Sequence, residues 1–181
     1  MKTDLSSYNN AWYRPGSKLK RLLWYFTNVL FFINPLNPSS KLKIILLKCF
    51  GARVGSGVMI KPGVNIKHPW FLNLGNNIWI GEKVWIDNLT EVRIEDHVCI
   101  SQGAMLLCGN HNYKKSSFDL LLGTITLKEG AWIGAKSTVC PGVTAHTHAV
   151  LTAGSIATKD LEAYHIYQGN PAINTKKRTI N

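Results

Sequence analysis

Aliphatic residues recur along this chain with a step of six: Val54, Ile60, Ile66; Leu74, Ile80, Ile86; Ile94, Ile100, Leu106; and later Leu127, Ile133, Val139, Ala145, Leu151, Ala157. Two-residue slips precede Leu74 and Ile94, and the step from Leu106 to Leu127 is six plus fifteen. A period of six fits neither a helix, at about 3.6 residues per turn, nor a plain strand, at about 2. It fits a short strand and a turn, repeated, with the aliphatic side chain always directed into a shared interior. Three such units close one triangular coil of eighteen residues, so fifteen positions make about five coils. Stacked coils at about the 4.8 Å strand spacing bury each ladder of side chains against the next. Gly often follows the aliphatic residue (Gly55, Gly75, Gly81, Gly134), and Pro-Gly recurs at Pro62-Gly63 and Pro141-Gly142. These glycines are expected to supply the backbone freedom of the corners. Position four after the aliphatic residue is small or β-branched, as at Val64, Val84, Ala104 and Val143. An ordinary all-β sandwich would not keep fifteen aliphatic sites in register.

The pattern changes outside this region. Residues 22–33, LLWYFTNVLFFI, are apolar but too short for the roughly 20 residues of a membrane span. They carry Thr27 and Asn28, and Asn34-Pro35 closes them. Some twenty residues precede them and no small-residue cleavage site follows, so a signal peptide is not expected. They predict a helix that packs on the main body or, given the preceding Lys18-Leu19-Lys20-Arg21, lies along a membrane interface. Charge sharpens this division. Residues 1–50 hold eight Lys/Arg against one Asp, residues 51–170 ten against nine, and residues 171–181 add three cations, for a total of +11. A basic stripe interleaved with aromatics on the folded body is not visible, so nucleic acid is not an expected partner. The organisation expected is a helical, basic and aromatic segment at 1–50, the repeat domain at 51–162 and a C-terminal extension at 163–181. Cys49, Cys99, Cys108 and Cys140 form no CxxC pair and read as reduced thiols of a cytoplasmic protein.

The stretches VGSGVMIKPGVNI, LGNNIWIGEKVWI and LKEGAWIGAKSTVCPGV resemble the hexapeptide-repeat acyltransferases over roughly residues 50–175. VNIKHPWFLNLG, WIGEKVWIDNLTEV, CISQGAMLLCGNHNY and the closing GNPA are most similar to the WcaF-like branch, the colanic-acid and capsule sugar O-acetyltransferases. The resemblance implies a mainly β fold, a left-handed parallel β-helix with a helical N-terminal segment and a loop protruding at 107–126. It implies acetyl transfer from acetyl-CoA to a sugar hydroxyl in exopolysaccharide or capsule synthesis. It further implies a homotrimer with active sites between subunits; the basic, aromatic N-terminal segment fits a cytoplasmic protein working at the inner face of the membrane. Two other readings stand beside it: a non-catalytic β-helix scaffold, and a zinc-dependent relative of the carbonic-anhydrase type.

Acetyl transfer needs a base, because a neutral hydroxyl is a poor nucleophile, and histidine suits that role. His111 lies in the fifteen-residue excursion, where a side chain can reach a cleft instead of filling the coil. The resemblance places the catalytic histidine at the head of this loop, which CGNHNY matches. Asn88 and the less certain Asp87, in WIDNLTEV, are the acceptor-side candidates by the same resemblance, with a purely structural corner role as the alternative. WIGAKS and TAGSIATKD resemble the family's donor-binding stretches, which carries Trp132, Ala135, Ala153, Thr158 and Lys159 to coenzyme A. Relatives often place a basic residue after GNPA, where this chain has Ile173; Lys176, Lys177 or Arg178 are the candidate substitutes. His146 and His148 alternate as on a strand and could share a metal, but the zinc-histidine spacing is not met and no metal is expected. His68, His97 and His165 read as turn or surface residues. Cys108 beside the histidine raises an acyl-enzyme route, which its apolar setting disfavours.

Overall fold

The computed structural model describes residues 2–180. Three parallel sheets form the walls of a triangular prism. The first sheet stacks Arg53–Val54, Leu72–Leu74, Val92–Ile94, Ile125–Leu127 and Thr144–Ala145. The second stacks Met59–Ile60, Trp79–Ile80, Cys99–Ile100, Trp132–Ile133, Val150–Leu151 and His165–Gly169, with Ala172–Lys177 antiparallel at its edge. The third stacks Asn65–Ile66, Trp85–Asp87, Met105–Leu107, Thr138–Val139 and Ile156–Ala157. Five coils are complete. A sixth begins at Leu161, bridged to Ala145, and continues into His165–Gly169, so the C-terminal segment extends the second sheet.

Register explains the periodicity. Ile60 pairs with Ile80, Ile80 with Ile100, Ile100 with Ile133 and Ile133 with Leu151, one vertical ladder inside the prism. Fourteen of the fifteen aliphatic positions are buried; Val54, on the end coil, is partly covered. Each buried methylene contributes about 0.8 kcal/mol, and the ladder gives every side chain aliphatic neighbours above and below.

The corners correct one expectation. Gly55, Gly75, Gly81 and Gly134 do not have the left-handed backbone. They are needed for close stacking: a Cβ on Gly134 would lie 2.5 Å from the amide nitrogen of Ala153 in the next coil. The left-handed residues stand further on, at Gly57, Asn77, His97, Gly130 and His148 along one edge and at Gly63, Lys83, Gly103, Lys136 and Gly154 along another. His97 and His148 are therefore corner residues. His148 leaves the Thr144–Ala145 strand, packs its ring where a Cβ of Gly130 would sit and lies 4.9 Å from the Tyr164 ring. It does not share a strand face with the exposed His146.

The third edge, between the third and first sheets, carries every irregularity of the repeat. Both two-residue slips fall there, at 67–71 and 88–91, and so does the excursion after Leu107. The excursion is a β-hairpin arm, Gly109–His111 paired antiparallel with Leu120–Leu122. Below it pack two helices, α1 (Lys18–Asn28, continued by a wider turn over Val29–Ile33) and α2 (Ser40–Cys49). Ser17 and Ser39 cap them by accepting from the amides of Lys20 and Leu42. Trp24 anchors α1 to the third sheet through Nε1, which donates to the Ile66 carbonyl at 2.8 Å. On α2, buried Lys43 donates from Nζ to the carbonyls of Ile60 and Lys61, and burial lowers its pKa.

Candidate active site

The arm holds His111 from two sides. Its Nδ1 lies 2.9 Å from the Phe118 carbonyl oxygen, and its ring stacks on the Phe118 ring at 4.4 Å between centroids and 8° between planes. A carbonyl only accepts, so this contact is a hydrogen bond when the proton sits on Nδ1, the tautomer that puts the ring's lone pair on Nε2. Phe118 reaches this position through a left-handed backbone (φ 53°), uncommon for a bulky residue and a cost carried by the hairpin around it. The turn is braced by Ser117 and Lys115, which both donate to the Asp119 carboxylate, at 2.7 and 3.0 Å, and hold its pKa down.

A strap formed by the N-terminal residues crosses this arm. The Asp4 amide donates to the Ser116 carbonyl at 2.9 Å, and the Tyr8 ring stands 5.8 Å from that of His111. Tyr13 donates its hydroxyl to the Leu89 carbonyl at 2.6 Å. Burial, then the nearby Asp87 charge, pushes the Tyr13 pKa up to about 12, so the phenol stays protonated. Between strap and arm lies a cavity of about 450 Å³ lined by Trp12, Asn112, Lys115, Asp119 and Leu121 among others. Sequence reasoning missed Tyr8, Trp12 and Tyr13, because nothing local marks a contact such as that of Tyr8 with His111, more than a hundred residues apart.

The two acceptor-side candidates part company. Asp87 alternates outward from buried Ile86 on the strand paired with Met105–Leu107, directly below the arm, and its carboxylate pairs with Lys67 at 2.9 Å. Asn88 is fully buried. Its Nδ2 donates to the His68 carbonyl at 2.6 Å and its Oδ1 accepts from the His68 amide at 3.0 Å. Both ends of the amide are spent joining two coils, so Asn88 is a corner brace and no longer an acceptor contact. His68, also buried, has its pKa lowered to about 4, first by desolvation and then by Lys67 and Arg21. Cys108, at the root of the arm, is fully buried and burial pushes its thiol up to about 12. It remains a thiol and a poor nucleophile.

The donor candidates spread over the upper coils. Trp132 is half exposed on the second sheet, its Nε1 donating to Ser101 Oγ at 2.9 Å. Ala135 and Ala153 sit at the next edge, where the Gly154 amide donates to the Ala135 carbonyl and small side chains keep the backbone open. Thr158 and Lys159 are exposed on the same edge as the arm, two coils on, about 10 Å at the strand spacing. Lys176 is exposed on the antiparallel edge strand. Arg178 is committed elsewhere: its guanidinium donates to the Gly130 and His148 carbonyls, which removes it as a phosphate partner. Within one chain these residues lie on different edges of the prism. Among the described residues, no group of three or more His, Cys, Asp and Glu side chains is placed to hold a metal ion.

Comparison with known proteins adds chemistry to this geometry. No family model matches the sequence. The chain is 33% identical over 176 residues, 97% of each protein, to WcaF of Escherichia coli, assigned as a colanic acid biosynthesis acetyltransferase. A galactoside acetyltransferase solved in complex with coenzyme A superposes with a TM-score of 0.78 at 25% identity, over 89% of this chain and 82% of that one. A hexapeptide-repeat-containing acetyltransferase from Vibrio cholerae, solved with acetyl coenzyme A, superposes at 0.80 over 90% of this chain and 89% of that one. At 17% identity, the last supports the fold alone.

Proposed function

The chain belongs to the WcaF-like hexapeptide-repeat acetyltransferases, left-handed β-helix enzymes that use acetyl-CoA, and we propose that it acetylates a sugar hydroxyl of an exopolysaccharide or capsule precursor with His111 as general base. The observation that carries this reading is the bond from His111 Nδ1 to the Phe118 carbonyl, which leaves Nε2 free to take a proton. His111 Nε2 removes the acceptor's proton as the oxygen attacks the thioester carbonyl. The carbon–sulfur bond of the tetrahedral intermediate then breaks, and the imidazolium returns the proton to the departing coenzyme A thiolate. Transfer is direct, because buried Cys108 offers no thiolate to carry the acetyl group.

Asp87 is the acceptor-side carboxylate, oriented by Lys67 below the arm. Trp12, Asn112 and Asp119 give the neighbouring cavity an aromatic face and polar groups suited to further sugar rings. Trp132, Ala135 and Ala153 bound the pantetheine path, Thr158 and Lys159 lie along it, and Lys176 serves the nucleotide phosphates. Because these residues occupy different edges of one prism, a groove between two copies gathers them best, which supports a homotrimer. The enzyme works in the cytoplasm, where acetyl-CoA is made, with its basic N-terminal segment at the inner membrane surface.

The test is acetyl-CoA consumption with a panel of sugars and oligosaccharides, alongside coenzyme A binding. His111→Ala is expected to lose transfer by a hundredfold or more, on the order of what a general base supplies, with donor affinity unchanged. An active His111→Ala enzyme would remove the base, and a wild type inert to every sugar would remove the acceptor class.

A further inference from the structure

Helix α1 is built inside out. Trp24 and Asn28 face the coil, buried, together with Phe32 of the following turn. Trp24 is fixed to the Ile66 carbonyl, and Asn28 donates from Nδ2 to Asn65 Oδ1 at 2.7 Å. The opposite stripe is Leu19, Leu22, Leu23, Phe26 and Leu30, at helical spacings of three, four, seven and eleven. All five are between 52 and 65% exposed, and Leu36 in the connection to α2 reaches 86%. The stripe turned to solvent is thus more continuously apolar than the stripe that packs. Soluble proteins rarely leave a contiguous apolar patch of this kind uncovered, and the helix gains nothing from it in water.

Charge selects what covers the stripe. Asp4 is the single acidic residue of the first fifty, against eight cations. Lys43 is buried and Lys20 lies over the Trp70 ring, 4.4 Å from its centroid, but Lys18 and Arg21 on α1 and Lys41 and Lys48 on α2 are exposed. A second copy of the chain would bring another net +7 segment against this one. An anionic surface meets the same cations with attraction. No helix among the described residues is long and apolar enough to cross a membrane, and a short helix with one apolar stripe is of the kind that lies in the interface plane.

We propose that α1 docks this protein on an anionic lipid bilayer, with Leu19, Leu22, Leu23, Phe26 and Leu30 in the headgroup boundary and Lys18 and Arg21 on anionic headgroups. This gives the membrane location proposed above its contact face, and the docking itself rests on no catalytic assignment. If the transferase reading holds, the acceptor is one presented at the bilayer. The flank of α1 between the exposed stripe and the coil suits such delivery: Arg21 and Tyr25 there, with buried Trp24 and Asn28, line a cavity of about 350 Å³ that Lys67, the partner of Asp87, and Trp85 also line.

Vesicle flotation with the full chain tests the docking. Wild type is expected to float with phosphatidylglycerol-containing vesicles and bind pure phosphatidylcholine vesicles more weakly, by about fivefold for each cation engaged. The Leu22→Ser/Leu23→Ser/Phe26→Ser variant is expected to lose anionic-vesicle binding on the order of a hundredfold, from the apolar area removed. Because these side chains are already exposed, its melting temperature, its mass by light scattering and its transfer to a soluble sugar should match wild type. Lys18→Gln/Arg21→Gln should weaken binding while the apolar stripe stays intact. Absence of wild-type vesicle binding overturns the proposal, and so does a triple variant that binds vesicles as well as wild type. A triple variant whose oligomer dissociates also overturns it, by showing that the stripe covers another copy. Transfer to a soluble sugar is read separately, so failure of docking and failure of the transferase reading cannot be confused.

Discussion

The prism turns the same edge in successive coils in two different ways. After Val139 it needs only Cys140 to Val143, a Pro-Gly turn, before the next strand begins at Thr144. After Leu107, one coil earlier, it sends out a hairpin and does not rejoin the coil until Ile125. The short turn does nothing but close the coil. The arm closes it equally well, since Arg93 and Thr126 still pair across the insertion, and it adds a histidine held through Nδ1 at the Phe118 carbonyl. Stability resides in the repeated buried ladder, and the proposed chemistry resides in the departure from it. The two are physically separable because each coil is bonded mainly to its neighbours.

The largest effect is expected from removing the departure. Replacing residues 110–121 by a short Gly-containing turn should abolish acetyl transfer while shifting the melting temperature by only a few degrees, on the order of 1 kcal/mol. Calorimetry and an acetyl-CoA assay on the same sample check both halves. The converse change, Ile100→Ala, opens a cavity in the centre of the ladder and should cost about 2–5 kcal/mol in denaturant unfolding. Its transfer rate per folded molecule should stay near wild type.

Acid tests the buried part of the same edge. The folded-state pKa of His68, about 4, lies below the ordinary value of 6.5. The unfolded chain therefore binds the proton more readily, and stability present above about pH 6.5 falls as pH drops toward 4. Between pH 7 and about 4.5 this one group removes on the order of 2.5 kcal/mol. Urea unfolding of His68→Phe across that range should show a correspondingly flatter pH dependence. The smallest effect falls within the arm: Phe118→Ala loses the stacked ring but keeps the carbonyl. It should lower kcat by about tenfold, roughly 1.4 kcal/mol, with little change in unfolding.

The coil was legible because its rule is local and repeated: fifteen aliphatic positions, of which only Val54 escapes full burial. His111, the base proposed above, stood out for the opposite reason, as the one histidine in the longest break of the rhythm. What stayed hidden depends on coil-to-coil contacts. Asn88 reads as a polar loop residue until its amide is found bonded to a backbone twenty positions away. His148 reads as a metal candidate beside His146 until it aligns with Gly57, Gly130 and the turn residue His97 at the left-handed corner. That alignment was available in principle, because the coil lengths set by the aliphatic steps place all four at one register. The strap was not: Tyr8 and Tyr13 meet the arm region through tertiary contacts with no periodic signature. The exposed stripe of α1 lies between these cases, since its apolar residues were evident and only the packing revealed which side they take.

The most direct test of the central claim is the tautomer of His111. Nitrogen-15 NMR of the full-length wild type near pH 8, with His111→Gln to assign the signal, distinguishes a protonated from an unprotonated ring nitrogen. The result expected is a proton on Nδ1, held by the Phe118 carbonyl, and a bare Nε2. A ring with its proton on Nε2 would contradict the assignment of His111 Nε2 as the base.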